Sequence, residues 1–545
     1  MKYLIIFAII GFWGLQQLNA QNYYWIGFTD KNNSSYSLDH PEAYLSERAI
    51  QRRIRQNIQL DSLDLPVNKT YIDSVLSLDV TFVHASKWLN GITVKTDSAN
   101  LGQQLESWAF ISEVHLTKPG TITKQAYNKF NDETIVDAPP IDSAKYGGSV
   151  HQVAMLEGQF LHDLDYTGQG IHIAVLDGGF KNANSLPAFD SLWANNQILG
   201  VKDFVNPDAD FYQTNSHGMS VLSCMGANVP GTLIGTAPGA SYWLLRSEDT
   251  SSEYIIEEDN WVAAAEFADS VGADIINSSL GYTTFYDAIS NHTYADMDGS
   301  TTRVTRGANI AASRGMLVFS SAGNERDDPW FRIVAPSDGT EVIGVGAVDK
   351  NLNPAYFTSA GPAANGDLKP NVSAMGYQTT LQRSDGSFGL GNGTSFSSPV
   401  LAGMAASLWQ RYPNKTAAEI KDAIERSGHL YFSPDSLQGY GVPNMRSASA
   451  ILDPIAVQTN KEQRNWKIFP NPFQNKIVLK RARALNEQEI LISLYSMDGV
   501  MVKTWQRFGA SSIVLDNLHD LQLGIYLLAV QTKAGVETFK INKVQ

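Results

Sequence analysis

Ser395 lies in Gly393-Thr394-Ser395-Phe396-Ser397-Ser398-Pro399, where a loop led by glycine runs into a helix rich in small residues (Ala402, Gly403, Ala405, Ala406, Ser407). Upstream stand Val175-Leu176-Asp177-Gly178-Gly179 and Ser216-His217-Gly218-Met219. A serine hydroxyl is a poor nucleophile at neutral pH and needs an imidazole to take its proton. The imidazole in turn needs a carboxylate that fixes its tautomer and stabilises its charged form. Asp177, His217 and Ser395 supply these three groups, and aspartate–histidine–serine is one of the chain orders in which unrelated folds carry this chemistry.

Each residue also has a plainer reading: a loop acid, one of ten histidines, and an N-cap serine. Context separates them from it. Asp177 closes an apolar strand, which puts its carboxylate at the strand's carboxyl edge. His217 is followed by Gly218 and by the helical pattern Val221-Leu222 and Met225. Ser395 at a helix start has backbone N–H groups and a favourable dipole beside it for developing negative charge. Competing motifs fail. Gly168-Gln169-Gly170 precedes its strand and lacks the spaced third glycine of a dinucleotide site. Ser397 stands where an esterase nucleophile elbow needs glycine. Asp296-Met297-Asp298-Gly299 lacks the remaining ligands of an EF-hand calcium loop. Cys224 is the single cysteine, so no internal disulfide forms, and Val221–Gly226 reads as a helix burying that thiol.

The elements that must position these groups alternate. Ile171–Leu176, Ser241–Leu245, Ile275–Asn277, Leu317–Phe319 and Val342–Val345 are near-continuous apolar runs that suit parallel strands covered on both faces. Trp261–Val271 and Arg303–Arg314 read as intervening helices. The expected fold class is α/β, a doubly wound, mostly parallel sheet with active residues at the carboxyl ends of its strands. An N-terminal α+β unit and a C-terminal β-sandwich flank it.

Four segments in order carry a family resemblance: Gly168–Gly178, His217-Gly218 through Val221, Ser321-Ala322-Gly323-Asn324-Glu325, and Gly393-Thr394-Ser395 with Pro399. Over roughly residues 168–444 the chain resembles the subtilisin-like (subtilase) serine proteases. The resemblance implies a serine endopeptidase acting through an acyl-enzyme, with Asp177, His217 and Ser395 as catalytic residues and Asn324 as oxyanion donor. It makes Ser279, Leu280, Gly281, Ala322 and Gly323 the walls that bind substrate. It requires no cofactor for the chemistry and implies structural calcium at a position the sequence does not locate. Met219 stands where the family has threonine and Ser397 where it has alanine; both bear on packing. With Asp177, His217, Ser395 and Asn324 intact, the enzyme reading outranks a non-enzymatic surface protein used for adhesion.

The expected organisation is a signal peptide at 1–20, a propeptide-like α+β domain at 22–117, a polar linker and maturation region at 118–148, the catalytic domain at 149–452, a second linker at 453–464 and a sandwich at 465–545. In the first unit, Asp39–Arg48 reads as a helix start with Arg52, Arg53 and Arg55 on a basic face, Val80–Val83, Ile92–Val94 and Phe110–Leu116 as strands, and Ser98–Trp108 as a helix. At the other end, Phe469-Pro470-Asn471-Pro472, Leu494–Gly499 and Gly524-Ile525-Tyr526 resemble the C-terminal sorting domain of the type IX secretion system, with turns at Asp498-Gly499 and Ala534-Gly535. The partners implied are protein or peptide substrates, the chain's own propeptide and the secretion machinery. The protein is expected to pass through the periplasm to the cell surface or medium, with no transmembrane segment in its mature form. Residues 460–545 carry a net charge of +5 and the rest −19, so the acidic body argues against nucleic acid.

Overall fold

The computed structural model describes residues 21–120, 130, 135–137, 145–453, 465–481, 489–496, 501–508, 511–532 and 535–545. At its centre is a seven-stranded parallel sheet in the order Val372–Met375, Ile343–Val348, Leu317–Ser321, Ile275–Ser278, His172–Asp177, Ser241–Arg246, Ile198–Asp203. The central strand shows why an apolar run is needed. Its side chains alternate between faces, with Ile173 and Val175 in one core and Ala174 and Leu176 in the other. Helices His217–Gly226 and Thr394–Arg411 cover the first face; Ile256–Ser270 and Arg303–Ser313 cover the second.

The doubly wound sheet agrees with the expectation from sequence, and the five apolar runs are five of its strands. Two strands lack such a run. Ile198–Asp203 lies on the sheet edge with Val201 and Lys202 exposed, so burial did not select apolar residues there. Val372–Met375 is short and built of Val-Ser-Ala-Met. Helix Ile256–Ser270 also begins five residues before Trp261, through Glu257, Glu258, Asp259 and Asn260. Carboxylates suit a helix N-terminus, but these four side chains are buried, which apolar periodicity cannot reveal.

The N-terminal unit is an antiparallel sheet, Thr81–Ser86, Gly91–Thr96, Asn22–Phe28 and Ile111–Lys118, carrying helices Lys69–Leu76 and Leu101–Leu105 on its own core. The helix expected over Ser98–Trp108 is only that five-residue turn. Near Asp39 the chain makes a 3₁₀ turn at Pro41–Ala43, and the helix proper, Glu47–Arg55, starts at Ser46, whose side chain accepts from the Ala49 N–H. The basic face corrects the sequence reading. Arg52 is 0% and Arg53 2% exposed, because both guanidiniums are inserted into the body built on the seven-stranded sheet.

Residues 1–20, expected to be a signal peptide, lie outside the described residues. So do most of 118–148, all of 454–464, and the turns at 498–499 and 534. Within the expected polar linker, Ile135–Asp137 is a strand paired antiparallel with Phe388–Gly391. The C-terminal region packs a three-stranded sheet (Trp466–Phe469, Ile477–Arg481, Ser512–Leu515) on a four-stranded one (Glu489–Ser496, Met501–Phe508, Gly524–Thr532, Gly535–Lys543) around one core. Among the described residues no helix is long and apolar enough to cross a membrane.

Candidate active site

Asp177 ends the central strand, between Ile275–Ser278 and Ser241–Arg246, so its carboxylate emerges at the carboxyl edge of the sheet. It is fully buried. Its Oδ1 accepts from the Gly178 N–H at 2.7 Å and meets Nδ1 of His217 at 2.7 Å. A carboxylate accepts only, so Nδ1 carries the proton and Nε2 becomes the basic nitrogen. His217 opens its helix, with its backbone N–H held by Asn215 Oδ1 at 2.7 Å.

Gly218 has a specific reason to be glycine. A Cβ there would lie 2.7 Å from the Asp177 Cβ and 2.6 Å from the Gly179 carbonyl oxygen. Gly218→Ala is therefore expected to push the histidine helix away from Asp177, costing about 1–3 kcal/mol of stability by overpacking. A thermal melt checks this, and the melting temperature should fall.

Ser395 is the second residue of the Thr394–Arg411 helix and is 4% exposed. Its Oγ lies 3.4 Å from the Ser279 carbonyl oxygen, and Ser279 Oγ donates to the Ser395 carbonyl at 2.8 Å. Behind this pair, Asn277 Nδ2 donates to Ser279 Oγ at 3.2 Å and Ser398 Oγ donates to Asn277 Oδ1 at 2.9 Å. The serine and histidine helices pack together, and the ring of Phe396, next to the serine, lies 5.9 Å from the His217 ring. Asn324 Oδ1 accepts from the Thr394 N–H at 2.8 Å and from Thr394 Oγ1 at 2.9 Å. The amide oxygen is thus occupied, and Nδ2 is fixed as the donor end.

Ser279, Leu280, Gly281, Gly323, Asn324 and Ser395 line one cavity of about 260 Å³. Gly323 sits at φ +107°, where a side chain would be strained and would collide with Ser359 Oγ at 2.6 Å. The Ala322 side chain is fully buried behind the wall, packed with Ile333 and Ala363. A small apolar side chain there supports the wall rather than forming it.

Several residues escaped the sequence reading. Asn277 and Ser398 hold Ser279, and a polar Asn in the apolar strand Ile275–Ser278 was the available signal. Phe130 stacks on the His217 imidazole with centroids 3.7 Å apart and planes 5° from parallel, and it also lines the cavity. Glu253 lines the same cavity, and its carboxylate clusters with those of Glu248 and Glu257 within 4.8 Å. Tyr282 donates to Glu248 at 2.8 Å, and burial together with these carboxylates raises the phenol well above its ordinary range.

The Asp296–Gly299 loop does not fit calcium. Asp296 caps the turn begun by Thr293, and Asp298 accepts from Ser300 and Thr301 ahead of helix Arg303–Ser313. Cys224 is fully buried, and burial pushes its thiol up, as suits a packed and unreactive side chain.

Three regions match family models, described as "Subtilase family" over residues 168–441, "Peptidase S8 propeptide domain, Bacteroidota" over 23–132 and "Secretion system C-terminal sorting domain" over 467–543. Among curated proteins the chain is 30% identical to subtilisin E of Bacillus subtilis over 56% of this chain and 72% of that protein. It is likewise 30% identical to subtilisin of Bacillus pumilus, over 54% of this chain and 97% of that protein. Among solved structures, MycP1 from the ESX-1 type VII secretion system matches at 22% identity and a TM-score of 0.44, covering 58% of this chain and 89% of that one.

Proposed function

The chain belongs to the subtilase family of serine proteases, and from that premise we propose that it is an exported endopeptidase whose working residues are Asp177, His217, Ser395 and Asn324. The observation that carries this reading is the 2.7 Å contact between His217 Nδ1 and a buried Asp177 that closes the central strand.

In the proposed reaction, His217 Nε2 takes the proton from Ser395 Oγ as that oxygen attacks the scissile carbonyl. The tetrahedral oxyanion receives Asn324 Nδ2–H and the Ser395 N–H at a helix N-terminus. The imidazolium then protonates the leaving amine, the C–N bond breaks, and an acyl-enzyme remains. Water, deprotonated by the same imidazole, attacks the ester and releases the acid. No metal or organic cofactor enters these steps, and bound calcium would act structurally.

Substrate backbone is proposed to lie along Ser279-Leu280-Gly281 as an added strand. Ser279 has a second role, holding the Ser395 carbonyl. Phe130 falls within the stretch matching the propeptide model and covers the imidazole face, which supports a latent form of the chain before maturation. The sorting domain indicates export to the cell surface or extracellular space; recognition by type IX machinery is part of the proposal. Mass spectrometry of the secreted protein should show termini trimmed at both ends.

Asn324→Ala tests the oxyanion assignment. It should lower kcat by about 10²–10³, the size reported for this donor in subtilisin, with KM little changed. A loss confined to KM would place Asn324 in ground-state binding instead.

A further inference from the structure

Helix Glu47–Arg55 stands apart from its own sheet and reaches the catalytic body at a place remote from the cleft. Arg52 donates through Nε to the Arg314 carbonyl at 3.1 Å, through Nη1 to the Ala273 carbonyl, and through Nη2 to the carboxylate and carbonyl of Asp269. Arg53 Nη2 bridges Asp269 at 2.9 Å and Asp64 at 2.6 Å. Arg48 bonds the Gly272 carbonyl at 2.9 Å, the Gly170 carbonyl at 2.7 Å and the Asp274 carboxylate. Gln56 Nε2 donates to the Gly315 carbonyl at 2.7 Å, and its Oε1 accepts from the Ala417 N–H at 2.9 Å.

The acceptors have a common origin. Asp269, Gly272 and Ala273 close helix Ile256–Ser270; Arg314 and Gly315 close helix Arg303–Ser313. The last carbonyls of a helix lack intrahelical partners and carry partial negative charge. Two helix ends and two carboxylates thus converge on one buried depression that planar guanidiniums fill with several donors each.

Its location follows from the topology. Gly170 precedes strand His172–Asp177, Asp274 precedes Ile275–Ser278, and Gly315 precedes Leu317–Ser321. The depression therefore lies on the amino edge of the parallel sheet. Asp177 and Ser279 lie on the carboxyl edge, roughly 17 Å away along a six-residue strand.

We propose that this depression is an arginine-binding exosite of the catalytic body, and that the Glu47–Arg55 helix seated in it keeps the N-terminal unit bound after the connecting chain has been cut. The exosite is then a hold separate from the cleft, on the opposite edge of the sheet, alongside the packing of strand Thr81–Ser86 on helix Ile256–Ser270 through Ser86, Lys87 and Glu266. Losing the cleft contact alone leaves the unit in place, and its departure requires these arginines to be withdrawn from a buried site or the helix to be destroyed. The exosite does not depend on the nucleophile, so a catalytically silenced chain can be used to test it.

The test uses the full-length chain carrying Ser395→Ala and a recognition site for a selective protease inserted between Gly120 and Phe130. After cutting, release of the N-terminal unit is followed by size exclusion on dilution. The unit should co-elute with the body, and adding Arg52→Met with Arg53→Met should speed its release by at least about a hundredfold, as removal of buried charge partners does. Equal release rates in both chains would overturn the proposal. If the double variant does not fold, hydrogen exchange on the cut parent complex decides. Amides of 47–55 and 269–274 exchanging together, no faster than the unit dissociates, support the exosite; early exchange of 47–55 while 81–96 stays protected overturns it.

Discussion

Ser395→Ala is expected to lower kcat for peptide hydrolysis by about a millionfold, the scale on which loss of a serine nucleophile acts in this family. The change removes one oxygen from a side chain whose Oγ is 3.4 Å from the Ser279 carbonyl, so little packing is lost. The Thr394–Arg411 helix, its contacts with the histidine helix and the Ser279 bond to the Ser395 carbonyl all remain. The variant should therefore melt close to the parent while failing to hydrolyse casein and keeping its N-terminal unit covalently attached. Parent-like activity in a folded variant would remove Ser395 from the mechanism.

The second large effect is expected from Asp177→Asn, about 10⁴ in kcat. The carboxylate accepts from Gly178 and from His217 Nδ1 through one oxygen. A neutral amide can keep its oxygen toward both donors, but it removes the negative charge that stabilises the imidazolium. The histidine then takes the serine proton far less effectively. Geometry survives and chemistry does not, so melts and substrate KM should change little while kcat collapses. Retained kcat would mean that the 2.7 Å contact is structural only.

The parts of this protein that follow one-dimensional rules were legible in its sequence. Ile173 to Leu176 alternate between two buried faces, and such a run is visible without coordinates. Asp177 and His217 could be paired because one ends and the other begins an element in a motif whose spacing is local; Ser395 as their third member belongs to the proposal. Ala322 is buried while Ser321 and Gly323 beside it line the cavity: a motif gives neighbours along the chain, not which side chain turns into the cavity. Arg52 and Arg53 were misread for a related reason. Arginines spaced along an amphipathic helix look solvated unless one knows that Asp269 and two helix ends lie across from them. Their burial is a tertiary fact. Although burial alone would raise the Asp269 pKa, Lys87, Arg52 and Arg53 hold the carboxylate well below the ordinary range. Glu257, Glu258 and Asp259 escaped likewise, since buried acids at a helix start are indistinguishable from exposed ones in a hydropathy pattern.

The central claim is that Ser395 is the hydroxyl activated by His217, and reaction of the purified mature protein with a fluorophosphonate probes it most directly. One phosphonyl group per chain is expected, located by peptide mass spectrometry on Ser395, with labelling slowed by orders of magnitude in Asp177→Asn. Active protein that takes no label, or takes it on another residue, would contradict the account.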